Sequence, residues 1–434
     1  MKMTDIYEIA EYTLKALKNC GADAAQCIVG RSKKDELNVD GGKFSLMRST
    51  FNTSISMKAI KDGKKGVTSI NQATKEAIDE AATQCIAAAE SSVTDEAEQI
   101  APFTAKVEYK TGVFEPDLNK LFDRIEEFMS QTKKEYPKVI LEQLISDYEH
   151  SEKLYMNTNG TSLRYEHGEY SFNTMFSAHE GEKASSFNGY FCALDNLDKP
   201  FMDAGMQRQL LEESEKQLNT VSPSEKFVGK VIYSPDCFNE LLQTALENFA
   251  SSGVLIDGTS PWKDALNTKV ASEKLNLRSV PLDDKTVVGQ RFTSDGYPAE
   301  NMDIIVDGVL KTFILSQYGA NKTGFPRALN GGNNLEVLPG DKTLEEMISG
   351  IDRGLIVNRF SGGQPSSNGD FSGVAKNSFL IEKGKVSSAV SETMISGNII
   401  DMLNNIVAIS KEQTTDGLSF MPWAEFDGVT VSGK

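Results

Sequence analysis

Two turn dipeptides set inside alternating runs constrain this chain most. In NTSISMKAIKDGKKGVTSIN (residues 52–71), Ile55, Met57 and Ala59 alternate with polar neighbours, Asp62-Gly63 reverses the chain, and Val67 and Ile70 return. Asn159-Gly160 occupies the same kind of place in MNTNGTSLRYE. Such dipeptides accept the positive φ values of a two-residue hairpin loop, whose twist matches that of paired strands. Period-two alternation buries one face of a sheet and leaves the other polar. The chain must therefore build antiparallel sheet whose apolar face needs a cover.

Other segments have the helical period needed for that cover. Ile6, Ile9, Leu14 and Leu17 space an amphipathic first helix, with Gly21 as its C-cap. TKEAIDEAATQCIAAAE, residues 74–90, is an alanine-rich helix. After Pro116, residues Leu118, Leu121, Phe122, Ile125, Phe128 and Met129 share a face until Pro137 ends the pattern. Residues 205–218 are helical again, and the polar, acidic stretch within 91–115 marks a possible subdivision.

A second half starts near Ser222. KFVGKVIYSP reads as a strand, and PDCFNELLQTALENFASSG as a helix with Leu241, Leu242, Ala245, Leu246 and Phe249 inward and Gly253 past its end. Short strands follow, with helices at 343–353 and 396–408 and long joints at 330–340 and 361–373. Joints of that length inside a compact unit are usually functional or disordered. Strands and helices mix without regular alternation, which predicts α+β: two domains, 1–222 and 223–434, with mixed or antiparallel sheets and flanking helices.

Charge and cysteine usage exclude several classes. The net charge of -17 argues against nucleic acid, which needs a basic stripe. No apolar run reaches the roughly 20 residues of a membrane span, and acidic residues interrupt the first helix, unlike a signal peptide. Five cysteines, Cys20, Cys27, Cys85, Cys192 and Cys237, are scattered and odd in number, which fits reduced thiols in a cytoplasmic protein.

Catalytic motifs are mostly absent. His179-Glu180 opens like a zinc-peptidase H-E-x-x-H, but Gly181, Glu182, Lys183 and Ala184 follow, and the flanks predict a hairpin tip. His150, His167 and His179 share one strand-rich region with Cys192 nearby, at spacings that match no ligand pattern. There is no G-x-S-x-G elbow, since GDFSG at 369–373 has Ser372 one place late. Neither a Walker loop nor a G-x-G-x-x-G follows a strand.

From residue 227 onward four blocks, in order, are similar to one family: SGVLIDGTSPWKDALNTKVASEKLNL, FTSDGYPAENMDIIVDGVLKTFILSQYGANKTG, NLEVLPGDKTLEEMISGIDRGLIVNRFSG, and NGDFSGVAKNSFLIEKGKVSSAVSETMISGNIIDMLNNIVAIS. The chain resembles the TldD/PmbA family over this half, and more weakly through its first hairpin and the MNTNG turn. The resemblance implies a dimeric two-domain α+β protein of the bacterial or archaeal cytoplasm, classed with metallopeptidases. Its members mature peptides, including microcin-like antibiotics, and degrade unfolded antitoxins. An older label calls them modulators of DNA gyrase.

One branch of the family carries H-E-x-x-x-H on the first helix of the C-terminal domain, and a late cysteine. Here the matching helix, CFNELLQTALENFASSG, has no histidine, and the last cysteine is Cys237. The chain therefore resembles the PmbA (TldE) branch. That implies no catalytic residue, no metal ligand and no cofactor in this chain, zinc being expected only in a TldD-like partner. The partner set is then that zinc peptidase subunit, in a homodimer or heterodimer, plus an unfolded peptide. The expected groove wall is the joint residues Asn368, Gly369, Asp370, Phe371 and Ser372 with Gly397 and Asn398. Two other readings are an autonomous peptidase using His150, His167 or His179, and a peptide-binding protein without enzymatic function.

Overall fold

The computed structural model describes residues 3–391 and 393–433. Its first sheet contains β1 (Ala24–Asp40), β2 (Lys43–Lys61), β3 (Lys64–Ile70), β4 (Lys106–Gly112), β5 (Val139–Asn157), β6 (Ser162–Glu180), β7 (Lys183–Ala184) and β8 (Asn188–Leu194). The strand order is β3-β2-β1-β5-β6-β4. Strand β4, inside the 91–115 stretch, runs parallel to Ser162–Gly168 of β6, and β8 pairs antiparallel with Tyr170–Phe176, so two strands share one edge of β6 end to end.

Turn chemistry acts as expected. Asp62 (φ 51°) and Gly63 (φ 70°) form the β2–β3 loop, a left-handed pair that a β-branched residue could not supply. Gly181 (φ 61°) closes the tip after His179, so His179-Glu180 ends a strand.

Helices α1 (Ile6–Asn19), α2 (Lys75–Ser91), α3 (Leu118–Glu135) and α4 (Gln207–Lys216) cover this sheet. Ala25, Cys27 and Val29 of β1 and Leu154 of β5 pack with Ile9 and Leu17 of α1 and Ile78 and Ala82 of α2. Leu144, Tyr148 and Phe172 pack with Leu121, Ile125 and Phe128 of α3. The register pairs Val29 with Leu154, and Val39 with Leu144, which puts both clusters on one face. The opposite face carries Ile28, Gly30, Lys153 and Tyr165, and it meets the second half of the chain.

The second sheet contains β9 (Thr220–Val221), β10 (Phe227–Tyr233), β11 (Leu277–Ser279), β12 (Met302–Val306), β13 (Val309–Leu310), β14 (Leu335–Val337), β15 (Arg353–Val357), β16 (Arg359–Gly362), β17 (Asp370–Lys376), β18 (Phe379–Glu382), β19 (Lys385–Val390), β20 (Thr393–Asn398), β21 (Ile406–Thr415) and β22 (Phe420–Ser432). Parallel and antiparallel pairs mix: β10 lies between antiparallel β22 and parallel β15. The α+β class with mixed sheets is thus what the fold shows.

Helix α5 (Pro235–Ala250) follows β10 directly, and the short α6 (Ser252–Ile256), α7 (Gln317–Thr323), α8 (Leu344–Ser349) and α9 (Ile399–Asn404) lie further on. The two helices expected at 343–353 and 396–408 are shorter than their patterns. Residues 396–398 pair instead with 370–372 as strand, because ladder bonds to β17 outcompete a helical first turn. Gly253 lies inside α6, since α5 ends where Ser251 turns extended (ψ 160°) and bridges Ile314. Among the described residues no helix is long and apolar enough to cross a membrane.

Candidate functional site

Helix α5 organises the site. Ser234 caps it by accepting the Cys237 amide, and Pro235 supplies the fixed φ of its first turn. Phe238, Leu242, Ala245 and Phe249 are buried, with the Phe238 and Phe426 rings 5.8 Å apart. Full burial of one such ring contributes about 2 kcal/mol or more. Anchored on β22 in this way, α5 turns Asp236, Asn239, Glu240 and Gln243 outward as a polar stripe one helical turn apart.

Cavities surround that stripe. Asn239 and Gln243 reach a cleft of about 710 Å³ between the two sheets, walled by β1, β2 and β5 on one side and by residues 288–292, 333–334 and 416–419 on the other. On the far flank, Cys237, Glu240 and Thr244 line a 250 Å³ groove closed by Phe360, Phe371 and the backbone of residues 361–365. Asp236 and Glu240 also border a 340 Å³ pocket with Asn358, Arg359 and Phe187. Among the described residues β16 pairs only with β17, which leaves it an edge strand along the α5 groove. The Phe360 amide is already turned to the buried Cys237 sulfur, so the next main-chain groups of β16 that face away from β17 are those of Gly362.

The electrostatics of the stripe are those of crowded acids. Enclosure by the groove walls, then the Asp416 and Glu240 carboxylates, raise Asp236 to about 6. Enclosure also raises Glu240, against the opposing pull of Arg359. Burial pushes the Cys237 thiol up to about 12, so it is no nucleophile near neutral pH.

The joint residues singled out in the sequence converge, in two different roles. Asn398 donates to the Asn368 carbonyl (2.9 Å) and to Asp370 Oδ1 (2.9 Å), while its own Oδ1 accepts the Ile400 amide (2.9 Å). Asn368 donates to Asp370 Oδ2 at 2.9 Å. These two donors hold the Asp370 carboxyl below its ordinary range. Gly369 (φ 92°) gives its carbonyl to the Ile399 amide at 2.9 Å, and a Cβ there would press the Phe249 ring at 3.1 Å. This knot ties β17 to the start of α9. Phe371 reaches the groove itself, meeting Phe360 edge to face with ring centres 5.6 Å apart. Gly397 lies against that ring, since a Cβ on it would meet Phe371 at 3.2 Å. Ser372 is exposed on the far side of β17.

The α5 stripe and the 416–419 turn were missed from the sequence. Their only signal was polar spacing at 236, 239, 240 and 243, which any solvent-facing helix surface shares.

The family models settle the lineage. One for the PmbA/TldA metallopeptidase C-terminal domain matches residues 226–433, and one for PmbA/TldA metallopeptidase domain 1 matches residues 25–89, together most of the chain. The chain belongs to the PmbA/TldD family. It is 31% identical over 155 residues to the metalloprotease PmbA of Escherichia coli O157:H7, covering 35% of this chain and 34% of that one. With a zinc metalloprotease TldD homolog of Saccharolobus solfataricus it shares 29% over 220 residues, 47% of this chain and 49% of the relative. The chain thus spans half or less of the length of these curated relatives. The crystal structure of TldE from Thermococcus kodakarensis superposes with a TM-score of 0.85 over 98% of this chain and 100% of that one, at 22% identity, a likeness of fold.

Metallopeptidase names raise the question of ligands. Among the described residues no three His, Cys, Asp or Glu side chains are grouped so that they could hold a metal ion. Each histidine has its own hydrogen-bond partner in the first sheet. His150 Nε2 lies 3.0 Å from Glu166, buried His167 contacts Thr111 Oγ1 at 2.8 Å, and His179 Nε2 contacts Ser177 Oγ at 2.8 Å. Burial holds His167 below its ordinary value.

Proposed function

We propose that this chain is a PmbA/TldE-like subunit that holds unfolded or leader peptides for a TldD-type zinc peptidase and has no zinc site of its own. The observation that carries this reading is the polar stripe of α5. It faces a groove with an open strand edge, yet offers amides and carboxyls in place of the imidazoles a catalytic zinc requires. The residues present do not fit the metal, and no hydrolytic step runs through them.

Holding a peptide needs less. An extended chain laid along Ser361–Gln364 gains main-chain hydrogen bonds from the β16 edge, while Phe360 and Phe371 take an apolar side chain. The partner's zinc then acts on a peptide that both subunits enclose. On this reading the protein works in the cytoplasm as part of a homodimer or heterodimer.

The test uses the full chain alone, a relative from the same genome bearing H-E-x-x-x-H alone, and the two mixed. Cleavage of an unfolded peptide is expected only where the zinc-bearing chain is present, with this chain raising its rate. Digestion by this chain alone, in chelator, overturns the reading.

A further inference from the structure

The interdomain cleft has a charge pattern opposite to that of the whole molecule. The chain carries 62 acidic against 45 basic residues, yet the uncommitted charges of this cleft are positive. Lys153 and Tyr165 are cross-strand partners on the face of the first sheet away from the helices. Arg291 lies over the Tyr165 ring at 5.9 Å, and Lys153 Nζ lies 5.8 Å from the Phe292 ring centre. Each cation therefore lies over one ring, and both rings belong to one small apolar cluster at the junction of the two sheets.

Neither cation has a carboxylate within 4 Å among the described residues, and the acids of the rim are spent elsewhere. Glu152 accepts from Arg164 at 2.5 Å and 2.8 Å, and strand alternation turns it to the other face of the sheet. Asp416 accepts the Leu418 and Ser419 amides at 2.8 and 2.7 Å. Arg291 commits one amine to the Pro281 carbonyl at 2.7 Å and also bonds the Tyr165 hydroxyl, which fixes the guanidinium and still leaves N–H donors of its five for a ligand. Enclosure lowers Lys153, as it does for an ammonium that has lost water without gaining a counter-ion. The walls add the amides of Asn239, Gln243, Gln290 and Asn333. A volume near 710 Å³ is ample for a peptide residue with its flanking backbone.

We propose that this cleft binds a carboxylate of the held peptide, from its C-terminus or from an aspartate or glutamate side chain, between Lys153 and Arg291. The inference rests on the peptide-holding reading and adds the substrate's charge to it. A guanidinium fork pairs two-pronged with a carboxylate, and the ammonium supplies the second charge. The amide rim, shared with the outer stripe of α5, leads the peptide from the cleft toward the β16 edge.

The experiment is fluorescence anisotropy on the full chain with a glutamate-bearing extended peptide and its glutamine counterpart, each with a free or an amidated C-terminus. The peptide with carboxylates is expected to bind roughly tenfold tighter than the fully neutral one, with the gap closing at high salt. The gap should vanish in the Lys153→Gln/Arg291→Gln variant and persist in Lys153→Arg. Whichever change closes it, glutamine or amidation, identifies the source of the carboxylate. Equal binding of all four peptides, unaltered in the double variant, overturns the carboxylate site while the peptide-holding reading survives. If no peptide binds, glutarate is the second probe, read by thermal shift. Stabilisation that is lost in the double variant supports the site and removes the peptide; no stabilisation removes both.

Discussion

Asn398 and Asp370 face each other across the β17–β20 ladder, with the Asn398 amide donating to the Asp370 carboxylate at 2.9 Å while the Asn398 carbonyl caps α9. One side chain thus joins a strand pair to a helix start. Asn398→Ala removes the cap and one of the two side-chain donors to Asp370, at a cost of about 2 kcal/mol. Asn398→Asp keeps the cap acceptor but sets two carboxylates together, so it should destabilise more at pH 8 than at pH 4. Urea unfolding of both variants at the two pH values checks this.

Gly296 packs the second half of the chain against the first sheet. It sits at φ 93°, and a Cβ would fall 2.3 to 2.5 Å from the ring of fully buried Tyr155. Thr104 Oγ1 donates to the Gly296 carbonyl at 2.7 Å, fixing the same loop from the first half of the chain. Gly296→Ala should cost on the order of 2–4 kcal/mol through overpacking and backbone strain. Limited proteolysis should then cut in residues 288–297 before either sheet unfolds.

Three desolvated carboxyls should add stability as the pH falls from 8 toward 5, opposed by buried His167, whose lowered folded-state value removes stability below about 6.5. Burial raises Glu169 and Glu213 to about 7, and Asp236 is raised to about 6. A carboxyl with a raised folded-state pKa keeps its proton in the native state, so its penalty is full above that pKa and disappears as pH approaches the unfolded value near 4. Glu213 already accepts from Asn358 at 2.7 Å and from Gln209 at 2.9 Å. Glu213→Gln should therefore raise the melting temperature at pH 8 and flatten its dependence between pH 8 and 6. A drop at pH 8 would mean that the ionised form is the one the fold holds.

Thiol chemistry should separate native from unfolded protein. All five cysteines are unpaired. Burial pushes Cys27, Cys192 and Cys237 up to about 12 and raises Cys85, whereas Cys20 is half-buried at the end of α1. A disulfide reagent at pH 8 should label no more than one thiol in the native protein and five in urea. Rapid labelling of Cys237 in the native state would show that the α5 groove opens.

The sequence by itself determined what depends on a few neighbouring residues. Asp62-Gly63 specified its turn because few dipeptides tolerate two positive φ values, Gly160 took the one left-handed position of the MNTNG turn, and Ser234-Pro235 specified the start of α5 by capping and a fixed φ. The family blocks after residue 227 were legible too, whereas Asn368, Asp370 and Asn398 were expected as a groove wall and only the structure ties them into a knot between β17 and α9. Only tertiary structure decided that Ser396–Asn398 is strand, because that choice depends on a partner strand more than twenty residues earlier in the chain. It also decided that Gln243, on the outward face of α5, looks into a cleft, and that Lys153 and Arg291 come to lie over two rings of one cluster. Local propensity acts along the backbone, whereas charges and cavities act through space, and folding alone sets which distant residues share that space.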